Sequence, residues 1–223
     1  MKNCIPLLLL IFATAATSFA APPTGQIHIG WAMTSITPEQ PVALAGQFHK
    51  RISERVESPC TATVLAIETR KGEQSLEQAI MVSCDLVLIA DHLQPRLRKM
   101  LAGRLPGFDP KKLFLNATHT HTGPVTRAIG WYTVDDKGVM KPPAYVDFML
   151  KKIAAAIESA WTNRAPGGVS WGLGHAVVGS NRRMVYRTAQ GQPPFGGGTA
   201  KMYGNNKTPA FLSVEGSEDT GIE

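Results

Sequence analysis

Leu113-Phe114-Leu115-Asn116-Ala117-Thr118-His119-Thr120-His121-Thr122-Gly123-Pro124 reads as an apolar strand that stops at two histidines spaced two apart. On an extended backbone, side chains two apart leave on the same side. Both imidazoles are therefore predicted to face one pocket, and neutral imidazole is the commonest protein ligand for zinc. Gly123-Pro124 turns the chain, which puts the pair at a strand end, where sites in layered α/β proteins lie. The spacing has blander readings too: a hydrogen-bonded polar cluster, or an exposed loop edge. A structural zinc site takes about four protein ligands and a catalytic one about three plus water. The pair supplies two at most, and the rest must come from elsewhere.

Outward from this stretch, strands and helices interleave. Residues 26–32 alternate in part and suggest a first strand. A polar loop follows over 34–59, interrupted by Val42-Ala43-Leu44-Ala45-Gly46. Residues 61–68 alternate as a strand, and a turn is expected near Lys71-Gly72-Glu73. The near-continuous apolar run over 79–90 suits a strand buried on both faces. Asp91 is placed to cap a helix running to about Leu101, with Pro95 in its first turn. Pro143 opens the clearest helix, with Val146, Met149, Ile153, Ala156, Ile157 and Ala160 on one stripe. Trp161 packs near its end, and Pro166-Gly167-Gly168 stops it. Residues 169–178 read as another strand, and 188–209 as a Gly- and Pro-rich loop. The expected fold class is α/β, or mixed α+β: a layered domain with a central, largely buried mixed sheet and flanking helices.

The chain has 223 residues, of which 43% are hydrophobic. That suffices for one sizeable domain and excludes wholesale disorder. Residues 1–20 read as a secretory signal peptide: a basic start at Lys2, an apolar run, and Ser18-Phe19-Ala20 before the cut. The run is shorter than the ~20 residues a membrane span needs. The expected location is secreted or periplasmic. Export leaves Cys60 and Cys84, for which a disulfide and two buried thiols both stay open. The formal charge of +6 is scattered over small groups such as Lys111-Lys112 and Arg182-Arg183. It is compatible with peripheral contact at an anionic membrane surface, and no motif accompanies it that would point to nucleic acid.

The segment 116–124 resembles the Thr-His-Thr-His-Ser-Gly-Pro signature of the neutral/alkaline non-lysosomal ceramidase family, whose members are secreted or membrane-associated zinc amidases. Met81-Val82-Ser83-Cys84-Asp85-Leu86 resembles the family's upstream strand ending in Asp-Leu, and Gly179-Ser180-Asn181-Arg182-Arg183 its downstream Asn-Arg element. The resemblance implies cleavage of the N-acyl bond of ceramide or a related lipid-like amide. It implies His119 as a zinc ligand and His121 as a hydrogen-bond partner of the substrate or developing oxyanion. Arg182 would be a positive donor to the tetrahedral intermediate, a role Arg183 takes if the register slips by one. Residues 21–223 would then be the N-terminal portion of a ceramidase-like catalytic domain, incomplete at the C-terminus, because the family's later His, Glu and Tyr have no match here. The family's glycine-containing loop is matched only loosely at Gly46, and its Gly-Ile-His segment has no counterpart.

Read without the resemblance, Arg182 is equally a surface charge, and Asp85 either orients a ligand histidine or caps a turn, the structural role being favoured. His175 sits in an alternating stretch that could face the same pocket. Two other functions remain open: a catalytically inactive exported binding protein or truncated fragment, and a different metallohydrolase such as a phosphoesterase or esterase. The second needs a carboxylate-rich metal site, for which only Asp85 is a candidate.

Overall fold

Alternation of small and branched apolar residues with polar ones builds a hairpin at the centre of the domain. Its strands are β2 (Thr61–Lys71) and β3 (Gln74–Cys84), paired antiparallel with Ala62 opposite Cys84 and Lys71 opposite Gln74. The computed structural model describes residues 25–174, 183–189, 199–202 and 204–214. Residues 1–20, expected to be a signal peptide, and His175 and Arg182 lie outside them. The chain divides into two units, residues 1–168 and 169–223.

In the first unit, β1 (Gln26–Ser35) pairs antiparallel with β2, and β4 (Leu113–Ala117) lies parallel to β3. The short β5 (Ala165–Pro166) closes the other edge, so the five-stranded sheet runs β4-β3-β2-β1-β5. A parallel pair needs a crossover, and the chain supplies it with helix α1 (Leu93–Met100) between β3 and β4. Helix α2 (Pro142–Thr162) carries the stripe expected of it: Val146, Met149, Ile153, Ala156, Ile157 and Ala160 are all buried. They pack with Val64, Ala66, Ile80 and Val82 of the sheet and with Leu93 and Leu97 of α1. The helix lies so close to β1 that a Cβ on Gly30 would stand 2.0 Å from the Ala160 carbonyl oxygen. Trp161 is buried edge-to-face on Phe108, with centroids 4.8 Å apart, and its indole N–H donates to the Pro106 carbonyl at 3.1 Å.

Two polar groups are carried into this core with partners. The Tyr145 hydroxyl donates to the Ile36 carbonyl at 3.0 Å. Glu68, 3% exposed, accepts from Arg164 at 2.9 and 3.1 Å and from Arg70 at 2.9 Å. Burial pushes the Glu68 carboxyl up, but hydrogen bonds from Ser75 and Arg164, the Arg164 charge and Arg70 together hold it below the ordinary carboxylate value. Arg164 also stacks over the Trp161 ring, 3.3 Å from its centroid, so the ion pair is tied to the helix end.

Several local expectations are corrected. The run over 79–90 is not a strand buried on both faces. β3 ends at Cys84, and burial alternates along it, with Ile80, Val82 and Cys84 inside and Met81 exposed. Only one face of the sheet meets the helices. Trp31, Leu65, Met81 and Phe114 face one another in register across four strands, and all four are exposed. Asp91 does not cap α1: the N-cap is His92, without a side-chain hydrogen bond. Cys60 and Cys84 are free thiols. Cys60 precedes β2 rather than facing Cys84, and burial pushes the Cys84 thiol up to about 12. Residues 169–174 form no strand and are exposed, and 175–178 fall outside the described residues.

The second unit holds a small antiparallel sheet, β7-β6-β8, of β6 (Arg183–Tyr186), β7 (Ala200–Met202) and β8 (Phe211–Val214). Tyr186 is buried there, edge-on to Phe211, and its hydroxyl donates to the Asn205 carbonyl at 3.1 Å. Among the described residues, no helix is long and apolar enough to cross a membrane.

Candidate functional site

Because β4 runs parallel to β3 and antiparallel to β2, the ends of β3 and β4 and the start of β2 meet at one rim of the sheet. Asp85 ties them together. Its Oδ2 accepts from the Thr61 backbone N–H at 2.8 Å and hydroxyl at 2.9 Å, and its Oδ1 accepts from the Thr118 hydroxyl at 3.2 Å. Asp85 contacts no histidine in this bond set; it fixes the residue before the first one. A carboxylate at a strand end needs such partners, and the structural role is the one observed.

His119 and His121 come together as expected, but not for the reason the spacing suggests. β4 ends at Ala117, and His119 takes φ +63°, in the left-handed region rare for a residue with a Cβ. The convergence is produced by this kink rather than by an extended two-residue period. The two Nε2 atoms stand 3.3 Å apart, with ring centroids 4.9 Å apart and planes at 83°. His119 Nδ1 lies 2.6 Å from the Val87 carbonyl oxygen. A carbonyl only accepts, so Nδ1 carries the proton and Nε2 keeps its lone pair. The outer residue is held through its backbone. Arg51 donates to the carbonyls of Ala45, at 3.1 Å, and of His121. Gly46, at φ +94°, packs so tightly that a Cβ there would lie 2.8 Å from His121 Cα and 2.5 Å from Cγ. The Ala45 N–H donates to the Gly123 carbonyl at 2.9 Å, which docks the 42–46 segment on the turn after the histidines.

Two clefts adjoin the turn. One, of about 420 Å³, is lined in part by Leu44, Ser53, Cys60, Asp85, Thr120 and Thr122. The other, of about 310 Å³, is lined in part by Gly46, Phe48, Val87, Val125, Ile129 and Trp131.

No protein-family model matches the sequence, and no curated protein matches it either. Among solved structures, neutral ceramidase from Pseudomonas aeruginosa matches with a TM-score of 0.54 at 20% identity, over 74% of this chain and 24% of that one. A ceramidase complexed with C2 matches with a TM-score of 0.51 at 18% identity, over 74% of this chain and 23% of that one. The fold is part of the neutral ceramidase fold. At this identity the likeness is one of fold, and the chain spans about a quarter of the length of either structure.

On this ceramidase-type scaffold the histidine pair can be tested against a zinc ion. Two nitrogens held by one tetrahedral zinc at ~2.0–2.1 Å stand about 3.4 Å apart, and the observed Nε2 separation is 3.3 Å. The His119 tautomer leaves the correct nitrogen unprotonated, and its Nδ1 already has the carbonyl partner that zinc-binding histidines use. The residues fit the metal as part of a site. Among the described residues, no third His, Cys, Asp or Glu joins the pair. Arg183 starts β6 in the second unit, while Arg182, preferred for the anion-stabilising role, is outside the described residues. Sequence reading missed Arg51 and Val87, which act through a guanidinium and a main-chain carbonyl. Only the loosely matched Gly46 hinted that the 42–51 segment reaches the histidines.

Proposed function

We propose that this protein is an exported zinc-dependent amidohydrolase of neutral ceramidase type, acting on the N-acyl bond of ceramide or a related lipid-like amide. The observation that carries the reading is the His119–His121 pair, held on a ceramidase-type sheet rim with His119 Nε2 unprotonated and 3.3 Å from His121 Nε2. His119 would hold the metal through Nε2. A bound zinc supplies a water of pKa about 7 and a Lewis acid for the amide carbonyl. The Val87 carbonyl keeps the His119 proton on Nδ1 and fixes the ring plane. His121, with its Nε2 over the same point, would donate to the carbonyl oxygen as negative charge develops there. Arg182 would add a second donor. The ligands that complete the metal site are assigned to polypeptide outside the described residues, and residues 21–223 to the N-terminal portion of the catalytic domain. Residues 1–20 would be removed on export to the periplasm or the medium, which N-terminal sequencing of exported protein tests. Peripheral contact with an anionic membrane surface would bring the enzyme to its lipid.

A specific observation also favours a second reading of His121. The 3.3 Å separation suits a second metal ligand as well as a substrate donor. The test is zinc content and release of fatty acid from an N-acyl sphingosine, measured on the exported protein. His119→Ala is expected to lose both, and His121→Ala and Arg182→Ala to keep the metal while turnover falls. Metal lost in His121→Ala would make that residue a ligand. Fatty-acid release undiminished in His119→Ala would overturn the proposal, as would a loaded protein that hydrolyses phosphate monoesters but no amide.

A further inference from the structure

We infer that the cleft of about 570 Å³ between the starts of α1 and α2 binds a small organic carboxylate, its charge met by Arg127 and Thr126 and its compact apolar body by Val134, Pro142 and Val146. Neither histidine of the pair lines this cleft, and its ligand need not be a substrate of any amidase.

The charge of the wall has one sign. His92, Arg96 and Arg127 line the cleft, and among the described residues no Asp or Glu does. Asp147 of α2 answers Arg96. Arg127 is exposed and has neither ion pair nor hydrogen bond among the described residues. Beside it Thr126, 7% exposed, also lines the cleft, and its hydroxyl has no hydrogen-bond partner among the described residues. A hydroxyl this buried ordinarily has a partner, and a ligand oxygen supplies one. Both helix starts add to the field. The N-caps are His92 for α1 and Lys141 for α2, neither caps with its side chain, and neither helix has an acidic residue in its first turn. The positive end of each helix dipole is therefore left without a negative group. Pro142 and Pro143 have no N–H to give, so α2 contributes field rather than donors.

The remainder of the wall is apolar, formed by Ile129, Val134, Pro142, Pro143 and Val146. A hydrated inorganic ion gains nothing from such a surface, whereas an apolar body buries it. One unpaired guanidinium fork matches the two oxygens of one planar carboxylate. The volume is within the range of small-molecule sites, about 300–1,000 Å³. The loop that carries Thr126 and Arg127 is held at both ends. The Val125 N–H donates to the Ala43 carbonyl at 2.9 Å, and the Tyr132 hydroxyl to the Leu44 carbonyl at 3.3 Å. Past the loop, Lys50 donates to both carboxylate oxygens of Asp136 at 2.9 and 2.7 Å. Such preorganisation lowers the ordering cost of binding.

The probe is benzoate, titrated into the 223-residue chain without zinc and followed by amide chemical shifts. Shifts are expected over residues 126–134 and at His92. Arg127→Gln should weaken benzoate roughly tenfold, the loss of one charge-assisted pair, and Thr126→Val about threefold. Lys99→Gln, which removes a charge from the last turn of α1, should change nothing. Benzamide, of the same shape without the charge, should bind roughly tenfold more weakly than benzoate. Benzamide binding as well as benzoate, shifts confined to other surfaces, or affinity indifferent to Arg127→Gln in protein with native circular dichroism overturns the inference. Inorganic phosphate that displaces benzoate at equal concentration would make the cleft a bare-anion site and overturns it too. So does decanoate binding where benzoate does not, which would put the carboxylate on a lipid chain. Nothing is hydrolysed in this titration, so its failure and that of the amidase assay are read separately.

Discussion

Up to Ala117 the chain follows a repeating rule, and past it the chain breaks one. On the sheet side, Leu113 packs inward and Phe114 outward, as Ile80 and Met81 do on the neighbouring strand. Ten side chains of α2 are buried at helical spacing. On the turn side, His119 takes a positive φ, Gly46 meets His121 closer than any side chain would allow, and the holding groups are a guanidinium and main-chain carbonyls. Stability resides in the repeating region and the proposed metal site in the exceptional one, so substitutions in the two should separate stability from the geometry of the histidine pair.

The largest effect belongs to the scaffold. Ile153→Ala leaves a cavity between α2 and the sheet, and should lower unfolding free energy by about 2–5 kcal/mol in urea titrations. Next is the buried ion pair. Glu68→Gln leaves Arg164 without its anion and should cost roughly 3 kcal/mol at neutral pH. The sign with pH follows from the depressed Glu68 carboxyl. Its contribution is complete above the ordinary carboxylate value near 4.5 and is lost as pH falls through the lower folded value. Wild type should therefore lose stability between neutral pH and about pH 3 more steeply than Glu68→Gln; equal slopes would show that Glu68 is not the group responsible.

Smaller in stability but larger at the site is Gly46→Ala. It should cost about 1–3 kcal/mol through the positive φ and the clash with His121, and separate the imidazoles while far-ultraviolet circular dichroism stays native. An unchanged His119–His121 contact in its structure would show that the 42–46 segment does not hold the pair. Smallest is Trp31→Ala on the bare face of the sheet, 71% exposed, for which a change within about 0.5 kcal/mol is expected.

The same contrast explains what the sequence revealed. The β2–β3 hairpin, the span of β4 and the stripe of α2 come from periods of two and 3.6 that any chain must obey. The histidines were found by their spacing, yet the spacing argument assumed a strand through residue 121, and the strand ends at Ala117. What brings the rings together is a backbone conformation no side-chain pattern encodes. The run over 79–90 misled for a related reason: past Cys84, Leu88 packs on the main core and Val87 on the small Ala43–Ala45–Val125 cluster from a loop, without extending β3. Arg51 is 70 residues away in sequence from the His121 carbonyl it holds, so only the fold places it.

The account turns on one nitrogen, the unprotonated Nε2 of His119. Nitrogen-15 spectroscopy of histidine-labelled protein, recorded before and during a zinc titration, reads it directly. The Nδ1–H tautomer of His119 is expected without metal, bonded to the Val87 carbonyl, and its Nε2 signal should be the first to move as zinc is added. An Nε2–H tautomer at His119, or saturating zinc that shifts neither His119 nor His121, would contradict the assignment of this turn as the metal-binding end of the site.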